Sequence, residues 1–340
     1  MGETLSEIGE FGLIARIDEL IRKEGLDTPG LTLGIGDDAA SVLPDAGHEL
    51  LITCDCMVEG RHFLPEHIEP SNLGRRAMVS NISDIGAMGG HPLYALVSLG
   101  LKSQTLASDV EDMYRGFLLE LNPFGASIIG GNMTNSEHAL FIDITLIGQA
   151  KKGRIVCRST AKVGDAILTT GYPGESAAGL SILKANPKKN LREHPLVQAF
   201  NCPSHRAREG EAIAQTGYAT AMIDTSDGFL GDLGHICQKS GIGAIIALEK
   251  LPVREELRQF AAQLGRDPYE LLLRASDDYE LIITCPLENV AKIRSAVAAL
   301  SDIPVNEVGR IVDASEGIKL IHPDGTQRIV SPFGWDHFSD

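Results

Sequence analysis

The run AMIDTSDGFLGDLGHI, Ala221 to Ile236, constrains this chain more tightly than any other segment. An apolar strand, expected over 219–223, delivers an acid, Asp224, at its end. A second acid, Asp227, stands three residues on, and an apolar-periodic helix is expected over 228–240. A strand, a tight turn and a helix in so few residues belong to a mixed α/β domain. Ser226 or Asp227 can cap that helix. Capping does not account for Asp224. Two carboxylates held that closely repel each other and gain most when a cation sits between them. Asp232, one turn into the helix, is expected to be solvated.

The chain repeats this placement of acids. LGIGDDAASV puts Asp37 and Asp38 behind a Gly-Ile-Gly turn, and ELLITC, read as a strand over 49–54, delivers Asp55 at its end. NISDIGAMGG places Asn81 and Asp84 one turn apart on a small-residue helix expected over 73–88. SDDYE adds Asp277 and Asp278. One acidic turn needs no purpose beyond the turn. Five that could converge on one cleft point to a site for hard cations, magnesium with a phosphorylated ligand above all.

Composition narrows the partners. Thirty basic against forty-six acidic side chains give a net charge of −16, with no basic stripe, which argues against a nucleic-acid surface. A phosphorylated substrate survives that argument, because bound divalent ions invert the local charge of an acidic cleft. The six cysteines form no CxxC pair and are read as reduced thiols. No apolar run reaches membrane-spanning length, and acids stand where a signal peptide needs positive charge. No membrane association and a cytoplasmic location are expected.

With 340 residues and 43% hydrophobic content, two domains are expected, 1–150 and 151–340. The first alternates a helix at 11–23, the strand and helix above, a strand at 93–101, a helix at 108–120 and strands at 126–129 and 139–149. The second begins with AILTTG and a helix in PGESAAGLSIL, crosses a polar surface excursion from Lys184 to His205, and returns to a helix at 205–215. Beyond the Asp224 segment come a strand at 242–248, a helix at 253–264, a strand at 279–284, a helix at 287–299 and strands near 305–312 and 317–321. GIGDD, MGG, IIGGNM and TTGYPGES offer backbone N–H groups that can cradle phosphate, but none is a P-loop or a dinucleotide fingerprint. Arg158 could grip polyphosphate in a bidentate manner. His62 could meet a substrate phosphate or ring. Trp335, the single tryptophan, either pins the tail or stacks on a flat heterocycle.

In order along residues 6 to 338 stand GEFGLI, GIGDDAA, CDCMVEGRHF, NISDIGAMGG, IGGN, RSTAKVGDAILTTG, GESAAGL, DTSDGFLGDLGHI, SDDYEL and GWDHF. This ordered set resembles the thiamine-monophosphate kinase family, within the wider superfamily that includes aminoimidazole ribonucleotide synthetase, selenophosphate synthetase and a hydrogenase-maturation protein. The resemblance implies a two-domain α/β (α+β type) fold of the aminoimidazole ribonucleotide synthetase-like kind, whose N-terminal domain forms a β-barrel-like interface in a homodimer. It implies ATP-dependent phosphorylation of thiamine monophosphate to thiamine diphosphate with several Mg2+ ions. By motif, Asp38, Thr53, Cys54, Asp55, Asp84, Asn132, Asp224 and Asp227 are the implied metal-binding positions. Tyr114, Gly131, Asn132, Arg158 and Ser226 are the implied nucleotide contacts. His62, Asp277 and Trp335 are the implied acceptor contacts. Asp84, Asp224, Asp227 and Arg158 carry the implied catalysis.

Three positions depart from the commoner family pattern. Asn132 replaces an aspartate, Cys54 a threonine, and Ala275-Ser276-Asp277 a Gly-Gly-Glu run. A thiol is a poor ligand for magnesium, so Cys54 is expected to act through its backbone oxygen. Two other readings stand beside the kinase: a related ATP-dependent synthetase or kinase with a different acceptor, and a nucleotide-binding homologue that has lost catalysis. No cysteine precedes Cys54, which argues against a selenophosphate synthetase.

Overall fold

A computed structural model describes residues 3–24, 30–33, 41–42, 45–186 and 191–331. Asp37, Asp38 and Trp335 lie outside the described residues. The chain divides into two compact units, one of residues 1–85 with 90–152, the other of 86–89 with 153–340.

The first unit runs α1 (Leu5–Glu24), β1 (Leu31–Leu33), β2 (Ser41–Val42), β3 (His48–Val58), α2 (Pro70–Ala87), β4 (His91–Leu101), α3 (Ala107–Leu121), β5 (Ser127–Asn135) and β6 (Phe141–Lys151). Its main sheet has the order β3-β6-β4-β5, antiparallel except for the parallel β4/β5 pair. Strand β6 shows the period of two plainly. Ile142, Ile144 and Leu146 are fully buried, while Phe141, Asp143, Thr145 and Ile147 between them are half-buried. Each fully buried aliphatic side chain contributes about 1.5–3 kcal/mol. Helix α2 seats its last turn on the sheet through Ile85, whose side chain fills the space that a Cβ on Gly148 would need.

The β-barrel-like interface is not borne out. Among the described residues no sheet closes on itself, because the two edges of this one, β3 and β5, are not paired with each other. A barrel needs its first and last strands hydrogen-bonded, and this sheet stays open.

Strand β5 also outruns the expected 126–129. The glycines at 130 and 131, which read as a turn, lie inside the strand and pair with Leu96 and Val97 of β4. A Cβ on Gly131 would sit 1.9 Å from the Val97 carbonyl oxygen, so glycine here serves close backbone approach.

The second unit runs β7 (Ala166–Thr170), α4 (Glu175–Ala185), α5 (Pro195–Asn201), α6 (Ala207–Thr216), β8 (Ala221–Asp224), α7 (Phe229–Ser240), β9 (Ile242–Ala247), α8 (Glu255–Gln263), α9 (Pro268–Leu272), β10 (Leu281–Cys285), α10 (Val290–Ala298), β11 (Val305–Asp313), β12 (Ile318–Ile321) and β13 (Gln327–Val330). Seven strands form one sheet in the order β13-β12-β9-β11-β7-β10-β8, with only β12/β9 parallel. Both faces are covered. Ile167, Ile223 and Ile282 share a core with α4, α5, α7, α8 and α9, whereas Leu168, Met222 and Ile283 share one with α6 and α10. That is why these strands read as unbroken apolar runs. Helix α5 sits inside the stretch expected to be a surface excursion, because Leu196, Val197 and Phe200 turn into the first of those cores. No helix among the described residues is long and apolar enough to cross a membrane.

Candidate functional site

In the first unit, pleating sorts the β3 side chains. Leu51 and Met57 are buried and Thr53 and Asp55 half-buried on one face; Leu50, Ile52, Cys54 and Cys56 are exposed on the other. The Thr53 hydroxyl donates to the Asp84 carboxylate of α2, Oγ1 to Oδ2 at 2.5 Å. One turn back on α2, Asn81 is fully buried and donates to the Ala77 carbonyl. Its amide nitrogen therefore serves the helix itself, while its buried Oδ1 has no hydrogen-bond partner among the described residues. The Cys54 thiol lies on the opposite face, donating to Asp143 at 3.3 Å and accepting from Thr145. Only its backbone is left to the Asp84 side. The register carries Asn132 through Ser98 and Asp143 to Cys56, so Asn132 also belongs to the exposed face, and its side chain is exposed.

His62 accepts the Val58 N–H at Nδ1. Tyr114 is buried edge-on against Phe117, and burial pushes its phenol above the ordinary range.

In the second unit, Asp224 closes β8 and is 1% exposed. Asp232 departs from expectation. It is 2% exposed rather than solvated, and its Oδ2 accepts the Asp227 N–H at 3.0 Å. Apolar residues on both sides of it, Gly231 and Leu233 among them, are buried with it, and the α7 start turns it back over the 224–227 turn. Burial first, then the charges of Asp224 and Asp227, hold its carboxyl well above the usual range, while Arg158 pulls the other way. Asp227, Asp232 and His235 each place a ligand atom within 4.8 Å of the others, a geometry that can hold a metal ion. The signal was present in the sequence as GDLGH, whose acid and histidine stand three apart on one helical face. Ser226 and Arg158 are exposed.

The SDDYE run serves α4. Asp278 accepts the Gly174 and Ser176 N–H groups at 2.6 and 2.9 Å, Ser276 Oγ accepts the Ala177 N–H, and the Ser176 hydroxyl donates to Asp277 at 2.6 Å. The Gly174 and Ser176 N–H groups of TTGYPGES, and that of Ala177 just after it, are thus taken by side chains about a hundred residues away and are not offered to phosphate. The MGG turn is committed likewise, its Gly89 and Gly90 N–H groups bonded to carbonyls of α2. Glu280 receives a bidentate Arg206 at 2.7 and 2.5 Å and the Thr170 hydroxyl at 2.6 Å. Burial raises Asp278 to about 6 and Glu175, beside Arg254, to about 7.

Comparison with known proteins agrees with this architecture. Residues 36–150 match the AIR synthase related protein N-terminal domain, and 162–321 the C-terminal domain. The thiamine-monophosphate kinase of Aquifex aeolicus is 34% identical over 335 residues, covering 98% of this chain and 99% of that protein. The crystal structure of the thiamine-monophosphate kinase from Stenotrophomonas maltophilia superposes with a TM-score of 0.81 at 31% identity, covering 94% and 97% of the two chains. AaThiL complexed with AMPPCP and TMP gives a TM-score of 0.75 at 33% identity over 99% of each chain. An acid-rich strand-turn-helix laced to a second acidic run, matched from end to end at this identity, places the chain in the thiamine-monophosphate kinase family.

Proposed function

We propose that this protein transfers the γ-phosphoryl group of ATP to thiamine monophosphate, giving thiamine diphosphate and ADP. The observation that carries this reading is the 34% identity with a thiamine-monophosphate kinase across 98% of the chain. A relative of 33% identity complexed with AMPPCP and TMP supports a nucleotide and an acceptor of this kind.

An oxygen of the acceptor phosphate attacks the γ-phosphorus in line. The new P–O bond forms as the bond from the γ-phosphorus to the bridging oxygen breaks, and ADP leaves with that oxygen. The attacking oxygen is already ionised near neutrality, so no general base is required. The difficulty is repulsion between two anions.

The carboxylate and hydroxyl donors fit magnesium, with Thr53 bonded to Asp84 in one unit and Asp227 clustered with Asp232, beside the His235 imidazole, in the other. In this reading Asp38, Thr53, Asp55, Asp84, Asn132, Asp224 and Asp227, with the Cys54 backbone, hold the ions. The placement of Thr53 and Asn132 on opposite sheet faces favours more than one. Bound magnesium would neutralise the phosphates and align them for transfer. Arg158, exposed and cationic, offsets equatorial charge on the transferred group. Tyr114, Gly131, Asn132 and Ser226 are the further nucleotide contacts. His62, Asp277 and Trp335 contact thiamine monophosphate. Residues 1–150 supply metal and ATP contacts and the dimer surface, and 151–340 supply further nucleotide and acceptor contacts. The protein acts as a cytoplasmic homodimer.

The test is incubation with magnesium-ATP and thiamine, thiamine monophosphate, hydroxymethylpyrimidine phosphate or formylglycinamidine ribonucleotide, with products resolved by mass. Thiamine diphosphate formed from the monophosphate alone is expected. Its absence overturns the reading.

A further inference from the structure

Thr225 sits between the two acids of DTSD and is fully buried. All three of its polar groups bond to two adjacent residues, Tyr279 and Glu280. Its N–H donates to the Glu280 carbonyl at 2.7 Å, its carbonyl accepts the Tyr279 N–H at 2.8 Å, and its Oγ1 accepts the Glu280 N–H at 3.0 Å. The β8/β10 ladder ends one pair earlier, at Asp224 and Leu281. The threonine thus extends the pairing past the end of the strand, using a side chain where the ladder would use backbone.

Two further features tighten the same junction. Tyr279 is the one non-glycine among the described residues with a left-handed backbone, at φ 54°, a strain that persists only when the surroundings over-determine it. Gly228 lies so close to the start of the run that a Cβ there would be 2.6 Å from the Arg274 carbonyl oxygen. Glu280, the partner of Thr225, is itself clamped by Arg206 and Thr170. Asp277, three residues before Glu280, is tied to Ser176.

From this geometry we propose that Thr225 is a positioning residue that sets the metal-side acids Asp224 and Asp227 and the acceptor-side run 276–278 in one fixed relation. The roles of the two runs rest on the reading given under Proposed function. Thr225 lies between the two acids in the chain, and Tyr279 and Glu280, to which it is bonded, directly follow 276–278, so a shift of either run loads these bonds and occupancy on one side is felt on the other. The hydroxyl is the informative handle. Thr225→Val keeps the volume and both backbone bonds but leaves the Glu280 N–H buried without an acceptor. Thr225→Ser keeps the acceptor.

The experiment measures Mn2+ affinity by calorimetry, together with the KM for thiamine monophosphate and for ATP, in the wild type and both variants. Thr225→Val is expected to weaken Mn2+ binding and to raise the acceptor KM, each about five- to tenfold, the range a lost buried hydrogen bond produces. Thr225→Ser should restore both to within about twofold of wild type. A Thr225→Val protein that melts earlier but keeps wild-type Mn2+ affinity and acceptor KM overturns the proposal, and so does one in which only one of the two changes. If the wild type makes no thiamine diphosphate, the acceptor assignment fails. The Mn2+ arm, which involves no acceptor, then decides Thr225 alone, and unchanged Mn2+ affinity overturns it.

Discussion

The Thr53 hydroxyl of β3 and the Asp84 carboxylate of α2 are joined by a 2.5 Å hydrogen bond across thirty-one residues of chain. It fixes the rotamer of a half-buried acid at the open end of a small-residue helix. A carboxylate so oriented meets a cation without first paying rotamer entropy.

Asp84→Asn should therefore keep the fold, since the amide has nearly the volume of the acid, yet lower kcat/KM by about a hundredfold or more. Steady-state rates across a magnesium titration check this. Raising magnesium should recover part of the loss. Wild-type rates at every concentration would remove Asp84 from the metal-binding set.

Asp232→Asn should act in opposite directions with and without metal. The buried carboxylate is held near Asp224 and Asp227, and their mutual repulsion is relieved by the amide. The metal-free variant is expected to melt no earlier than wild type, whereas the rise in Tm on adding Mn2+ should shrink to less than about half. Scanning calorimetry with and without MnCl2 reads both. An undiminished metal-induced rise would show that Asp232 takes no part in holding the ion.

Glu175 gives a pH signature. Burial, then the nearby Asp278, Glu256 and Glu280 charges, outweigh the attraction of Arg254 and raise it to about 7 from 4.5. A raised folded-state pKa means the fold favours the protonated acid. Its contribution is full below the unfolded pKa and is lost as pH rises to about 7. Relative to Glu175→Gln, the wild type should lose stability steadily from pH 5 to pH 7 and run parallel above. Urea midpoints of the two proteins at each pH measure the difference, to which Asp278, present in both, contributes little. A constant offset would place the Glu175 carboxyl at its ordinary value.

Gly131→Ala should force β5 away from β4, because the new methyl would overlap the Val97 carbonyl oxygen. A cost of about 2 kcal/mol or more is expected, seen as a lower urea midpoint. With Asn132 next in the strand, the KM for ATP should rise as well. A variant as stable as wild type would mean the strand yields there.

Ser176→Ala removes the α4 hydroxyl that donates to Asp277. The acceptor KM should rise about three- to tenfold while the ATP KM stays put, since the lost bond to a carboxylate lies on the acceptor side alone. Equal changes in both constants would make Ser176 a general structural residue.

Local pattern determined most of the elements. The strand that delivers Asp224, the helix that carries Asp84 and the long strand that becomes β6 all follow from apolar period and turn chemistry, which act within a dozen residues. The same pattern put Thr53 and Cys54 next to each other in sequence and, because a strand alternates, on opposite faces in space. What sequence could not supply was anything set by partners far along the chain. Asp232 looked like an exposed helical acid until α7 folded it against its own start. The Gly130-Gly131 pair looked like a turn until Val97 needed the space of a Cβ. SDDYE read as part of a carboxylate-rich site, and nothing in it showed that Asp278 would accept the N–H groups of Gly174 and Ser176 about a hundred residues earlier. Burial and hydrogen-bond pairing are properties of the neighbours that tertiary packing brings up, and local periodicity carries no record of which neighbours those will be.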